Sequence, residues 1–115
     1  IAARNLSEIY KCVVCVSGAV DYVVEGGQII KVSNGHPLMT KVTGLGCTAS
    51  ALCGAFAAVE KSAFAATVKA MAVMGIAGEM AAEKAAGPGS LQVHFLDNLY
   101  NLSEDDIKLR LKVGE

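Results

Sequence analysis

From Thr43 the chain reads Thr43-Gly44-Leu45-Gly46-Cys47-Thr48 and then runs on to Ala86 mostly in Ala, Gly and medium-sized apolar residues, with few charges. Small residues contribute little burial each, but they let backbones approach closely. The segment therefore reads as helices packed tightly on something flat, a sheet. The glycines mark where the first helix begins, and that helix is expected to reach about Lys61. A second helix is expected over residues 62–86, where Phe64, Val68, Met71, Ile76 and Met80 recur at roughly helical spacing. Gly75 and Gly78 weaken it in isolation and point to close packing or a kink.

The preceding residues supply the sheet. Residues 11–17 hold the apolar run Cys12-Val13-Val14-Cys15-Val16, which suits a strand buried on both faces, as in a parallel sheet under helices. Gly18 and Ala19 turn the chain. Residues 21–24 and 28–32 read as two short strands joined by Glu25-Gly26-Gly27, a hairpin signal. Asn34-Gly35-His36-Pro37 has loop chemistry. Residues 2–9 read as the tail of a helix already under way. With Ile rather than Met at position 1, this suggests a piece of a longer protein. After Ala86, Gly87-Pro88-Gly89-Ser90 breaks the helix. Ser90 is placed to cap the next one, expected to bury Val93, Leu96, Leu99 and Tyr100. Ser103 opens a last helix, with Asp106 completing a variant of the capping box. The order reads as half of an α/β domain whose remaining parallel strands lie upstream.

At 115 residues the chain is one domain or part of one, and at 53% apolar it can bury a core. The net charge is −1 with no long run of either sign, so no basic face for nucleic acid is expected. The apolar run over residues 45–59 is too short to span a membrane, and the next is interrupted by Lys69. A soluble, cytoplasmic protein is expected. The four cysteines, Cys12, Cys15, Cys47 and Cys53, sit in a helix-rich, Ala-rich chain, which favours reduced thiols over a disulfide scaffold.

The chemistry is expected at the glycine turn. The first N–H groups of a helix have no internal partner and lie at the positive end of its dipole. A glycine-rich entry lets an anion approach them, and in phosphoryl transfer such donors stabilise the moving group. A tight turn alone would use the same glycines, and the spacing fits neither a Walker P-loop nor a dinucleotide fingerprint. Cys47 is the thiol at this helix start. Taking a proton from an attacking alcohol, shaping the anion pocket, and simple apolar packing are its three readings.

Other candidates are weaker. Cys12 and Cys15 spell C-x-x-C, but positions three apart on a strand face opposite sides. Cys47 and Cys53 diverge on a helix. His36 and His94 lack paired ligands, so no metal site is expected, although His36 lies near the glycine turn. Asp21 and Glu25 read as solvated turn residues. Met71, Met74 and Met80 read as core filler. Gly87 to Ser90 reads as a helix break rather than a nucleotide contact.

Three segments taken together are more specific. Val16-Ser17-Gly18-Ala19-Val20-Asp21-Tyr22-Val23, then Asn34-Gly35-His36-Pro37-Leu38-Met39-Thr40-Lys41-Val42-Thr43-Gly44-Leu45-Gly46-Cys47, then Gly87-Pro88-Gly89-Ser90 resemble the hydroxyethylthiazole kinases in order and spacing. The resemblance implies the C-terminal half (residues 1–115) of a single ribokinase-like α/β/α sandwich, with one or two core strands, a hairpin region, several helices and the upstream strands missing. It implies transfer of the ATP γ-phosphate to the alcohol of 4-methyl-5-(2-hydroxyethyl)thiazole in thiamine synthesis or salvage, with ATP and Mg²⁺. Ser17 matches an ATP-contacting Thr or Ser, and Gly44 a substrate-binding glycine. Gly44, Leu45, Gly46 and Cys47 match the anion hole. Cys47 stands where most ribokinase-like enzymes place an Asp base. Leu45 departs from the family's usual Thr, which the backbone donors of an anion hole tolerate. The family is typically a homotrimer with active sites between subunits. The chain alone would lack half the pocket and is expected to be inactive. A kinase of another small alcohol, or a non-catalytic assembly piece, are the alternatives.

Overall fold

Gly26 takes a φ of 58°, which a glycine adopts without strain, and with Gly27 forms the two-residue turn of a hairpin. The flanking strands are β2 (Asp21–Glu25) and β3 (Gln28–Val32), paired in register from Glu25 with Gln28 to Asp21 with Val32. The computed structural model describes residues 1–115. Helix α1 (Ala2–Tyr10) and strand β1 (Val14–Val16) precede the hairpin. A 3-10 turn over Pro37–Lys41 follows it, then α2 (Leu45–Val59), α3 (Ala63–Lys84), α4 (Pro88–Asn101), α5 (Glu104–Arg110) and the short β4 (Val113–Gly114). This is the expected mixed α/β order.

The sheet runs β1-β2-β3-β4 and every pairing is antiparallel. Within this chain the run over residues 11–17 is shorter and less covered than the expected strand buried on both faces. Only Val14–Val16 pair, and only with β2. Cys15 and Val16 are exposed and Val14 is half-buried. Strand alternation sorts the hairpin into two faces. Val23 and Val32, fully buried, face the helical layer. Tyr22, Val24, Ile29 and Lys31 line a groove with the first residues of α1. Ser7 fastens α1 to the hairpin: its Oγ donates to the Cys12 carbonyl at 2.6 Å and accepts from the Gly26 N–H at 2.9 Å.

Helix α3 is the spine, capped at its start by Ser62, whose Oγ accepts from the Ala65 N–H. It continues through Lys69, which pairs at the surface with Glu60. By length and composition α3 could cross a membrane, but over half of its most apolar stretch is buried in this fold, so it reads as a core helix. Its Met74, Ala77 and Ala81 form one cluster with Leu91 and Phe95 of α4. The expected face of α4 is therefore wrong. Leu91 and Phe95 turn inward, Leu99 is half-buried, and Val93, Leu96 and Tyr100 stand exposed. Both stripes repeat helically, and the wholly apolar one holding Leu91 and Phe95 packs on α3. Ser90 does not cap from outside α4. It lies in the first turn, accepting from the N–H groups of Ala86 and Gly87. Ser103 and Asp106 form the reciprocal capping pair read from sequence.

Gly75 and Gly78 serve close packing. A Cβ on Gly75 would meet the Asn34 Cβ at 2.6 Å, and one on Gly78 would run into the Met39 side chain. The loop over residues 34–39 thus rests directly on the α3 backbone.

Candidate active site

At the end of the sheet where β1 stops, β2 starts and β3 stops, two loops face each other. One holds Ser17, Gly18 and Ala19; the other holds Asn34 to Thr40. Leu45, Gly46 and Ala49 of α2 and Met71, Met74 and Gly75 of α3 complete a cleft of about 620 Å³. That volume lies in the range of small-molecule sites.

The start of α2 opens on this cleft. Gly44 precedes the helix with a φ of 90°, and the first intrahelical bond runs from the Thr48 N–H to the Gly44 carbonyl at 3.1 Å. The N–H groups of Leu45, Gly46 and Cys47 are left without helical partners. No side chain caps them and no acid occupies the first turn. A Cβ built on Gly44 or Gly46 would meet nothing within 4 Å. This is a cradle that a small anion can enter.

The residues singled out from sequence divide at this point. Ser17, Leu45 and Gly46 line the cleft. Gly44 and Cys47 stand outside its lining and are exposed, on the outer side of the same helix start. Leu45 is half-buried against the Met74–Phe95 cluster, so its side chain packs while its backbone faces the cradle. His36 lines the cleft, and its Nδ1 accepts from the Leu38 N–H at 3.0 Å, capping the 3-10 turn. Gly87 and Ser90 are not on the lining.

Asp21 departs from the sequence reading. It is 7% exposed, not solvated, and its Oδ1 accepts from the Gly18 N–H at 3.0 Å, closing the loop that carries Ser17. Burial pushes its carboxyl above the usual carboxylate range, and the Gly18 bond opposes that shift. Glu25 is exposed, as expected. The thiols of Cys12, Cys15, Cys47 and Cys53 are unpaired. Partial burial, with Asp21 and Cys53 nearby, pushes the Cys15 thiol up to about 11, which keeps it protonated and a poor ligand or nucleophile. No group of three or more His, Cys, Asp or Glu side chains is placed to hold a metal ion.

Sequence reasoning missed Asn34 and Glu79. Asn34 is 4% exposed. Its Nδ2 donates to Glu79 Oε1 at 3.0 Å and to the Arg110 carbonyl at 2.7 Å, and its Oδ1 accepts from the Lys112 N–H at 2.8 Å. The available signal was a lone acid, Glu79, within the apolar stretch of α3.

The sequence model described as the hydroxyethylthiazole kinase family matches residues 1–105. The hydroxyethylthiazole kinase of Syntrophus aciditrophicus (strain SB) is 62% identical over 112 residues, covering 97% of this chain and 42% of the relative. That of Leptospira biflexa serovar Patoc is 61% identical over 108 residues, covering 94% and 40%. The structure of the hydroxyethylthiazole kinase protein from Pyrococcus horikoshii OT3 superposes with a TM-score of 0.94 at 43% identity, covering 97% of this chain and 44% of that one. The chain thus spans about two fifths of the length of the curated relatives it matches. A family model that matches nearly the whole chain and a fold shared so closely agree, and the chain belongs to the hydroxyethylthiazole kinase family.

Proposed function

We propose that this chain is the C-terminal half of a ribokinase-like kinase domain that transfers the γ-phosphate of ATP to the alcohol of 4-methyl-5-(2-hydroxyethyl)thiazole. The observation that carries the reading is the uncapped start of α2, with open space at Gly44 and Gly46, on the rim of a nucleotide-sized cleft. ATP takes the cleft beside Ser17, with its terminal phosphate at the N–H groups of Leu45, Gly46 and Cys47. The alcohol reaches the same helix end from the outer side, where Gly44 and Cys47 stand. Its oxygen attacks the γ-phosphorus, the bond to the β–γ bridging oxygen breaks, and ADP leaves. The free N–H groups carry the charge that spreads over the phosphoryl oxygens in flight.

Cys47 acts first through its backbone N–H and second through its thiol, the only ionisable side chain in that turn, which can accept the alcohol proton. Mg²⁺ bound with the nucleotide would neutralise charge on its phosphates. Asp21, the one carboxylate on the cleft wall, is the side chain of this chain that would be available to the ion. The whole protein is read as a cytoplasmic homotrimer of complete family chains.

The test is a chimera that joins the unmatched part of the Syntrophus relative to this chain. With MgATP and the thiazole alcohol it should release ADP and form the thiazole phosphate, followed by phosphorus NMR. Transfer to a pyrimidine or sugar alcohol but not to the thiazole would redirect the substrate assignment. Absence of ADP release with every alcohol would end the kinase reading.

A further inference from the structure

We infer that Glu79 is a positioning residue for the nucleotide: it sets the wall of the cleft formed by residues 34–40. The inference rests on the proposal that ATP occupies this cleft. Glu79 Oε1 accepts two hydrogen bonds, from Asn34 Nδ2 at 3.0 Å and from the Gly35 N–H at 2.9 Å. Asn34, Gly35, His36, Pro37, Met39 and Thr40 line the cleft; Glu79 itself does not. It acts through the loop, from the one face of α3 where Gly75 and Gly78 let that loop sit against helix backbone.

The same carboxylate draws in the end of the chain. Asn34 holds the Arg110 carbonyl and the Lys112 N–H, the Ser33 N–H donates to the Lys112 carbonyl at 2.9 Å, and Lys112 Nζ lies 3.8 Å from Glu79 Oε1. Asn34 is nearly sealed from solvent, and its amide has both protein acceptors and a protein donor satisfied. Without the Glu79 oxygen, the Asn34 amide and the Gly35 N–H each lose a partner. A buried donor left unmade is costly enough to drive rearrangement. The loop then reseats, and with it the cleft wall opposite Ser17. The start of α2 has its own anchor, Leu45 on the Met74–Phe95 cluster, and should move less than the loop.

Bisubstrate kinetics on the chimera test this. Glu79→Ala should raise the KM for ATP roughly tenfold, the scale of one lost hydrogen bond, while the KM for the alcohol stays near its original value. Glu79→Gln keeps an acceptor oxygen for both donors and should restore the KM for ATP. If Glu79→Ala does not fold, Glu79→Asp serves, since it keeps the charge but is one methylene too short for both bonds. Its KM for ATP should rise by a smaller factor. An unchanged KM for ATP in whichever of the two variants folds would overturn the inference, as would equal increases for both substrates or a Gln variant as impaired as Ala. If the parent chimera has no kinase activity, the proposed function fails first, a result separable from an active parent whose Glu79 variants leave the KM for ATP untouched.

Discussion

The Cβ that Gly75 lacks would lie 2.6 Å from the Asn34 Cβ and 2.7 Å from its carbonyl carbon. Both contacts are with parts of the chain that cannot rotate away. Gly75→Ala therefore must push the loop off α3, despite the gain in helix propensity of about 1 kcal/mol. Overpacking of this kind costs about 1–3 kcal/mol. Denaturant unfolding of the chimera should show Gly75→Ala destabilised by about that amount. Unchanged or raised stability would remove the packing account of Gly75.

Leu45 is half-buried, and its side chain packs on the cluster of Met74, Ala77, Ala81, Leu91 and Phe95. Leu45→Thr gives up apolar contact worth about 1–2 kcal/mol. It leaves the backbone N–H in place. The expected result is a lower melting temperature with turnover preserved. A large fall in turnover at unchanged melting temperature would assign this position a side-chain role in the chemistry.

Local chemistry was the legible part of the fold. The Gly26-Gly27 hairpin, the Ser103–Asp106 cap and the glycine entry to α2 are each written in a few adjacent residues. What failed needed knowledge of the neighbours. Residues 11–17 carry the apolarity of a central strand, and among these residues that strand is paired on one side alone. Leu91 and Phe95 could not be preferred over Val93, Leu96 and Tyr100 without seeing which stripe meets α3. At the candidate site, the start of α2 at Leu45 and Gly46 was readable from the glycines that open it. Asp21 and Glu79 were not, because their partners, Gly18 and Asn34-Gly35, are brought to them by the turn and by a contact 45 residues apart in sequence.

Asp21 makes stability depend on pH. Burial raises its carboxyl in the folded state, so between the unfolded value near 3.8 and the raised folded value the native state binds more protons than the unfolded chain. Stability should then fall as pH rises through that window, and the fall is complete above the folded value. Asp21→Asn keeps an oxygen for the Gly18 N–H and removes the titration. Unfolding free energies of parent and variant, measured from pH 4 to pH 7, should converge at the acid end and favour Asn at the neutral end. A parent that gains on the variant as pH rises would reverse the sign and the argument.

Cys47 is exposed at the outer side of the α2 start, so Cys47→Ala should leave the melting temperature of the chimera unchanged. Its backbone N–H survives the substitution. Turnover should fall, but by less than the ~10²–10⁴ that loss of an outright general base brings. Full turnover would remove the thiol from the reaction. A loss at the upper end of that range would make proton transfer, rather than the amide, its main contribution.

Helix α2 marks where the chain needs more than itself. It is apolar from Leu45 to Val59, yet none of its residues is fully buried, and Val59 is exposed. Within this chain it leans chiefly on α3, which holds eleven of the 19 buried residues. A helix with so little covered area gains little from tertiary packing, and helices of this length are marginal without it. Hydrogen exchange on the isolated 115 residues should therefore show α2 amides exchanging close to unfolded rates, with any protection concentrated in α3. Joined to the unmatched part of the relative, α2 should become protected together with α3, and the free amides at Leu45, Gly46 and Cys47 should acquire a fixed geometry. Equal protection of α2 and α3 in the isolated chain would mean that the anion cradle is built by these residues alone, and the expectation of an inactive fragment would lose its physical basis.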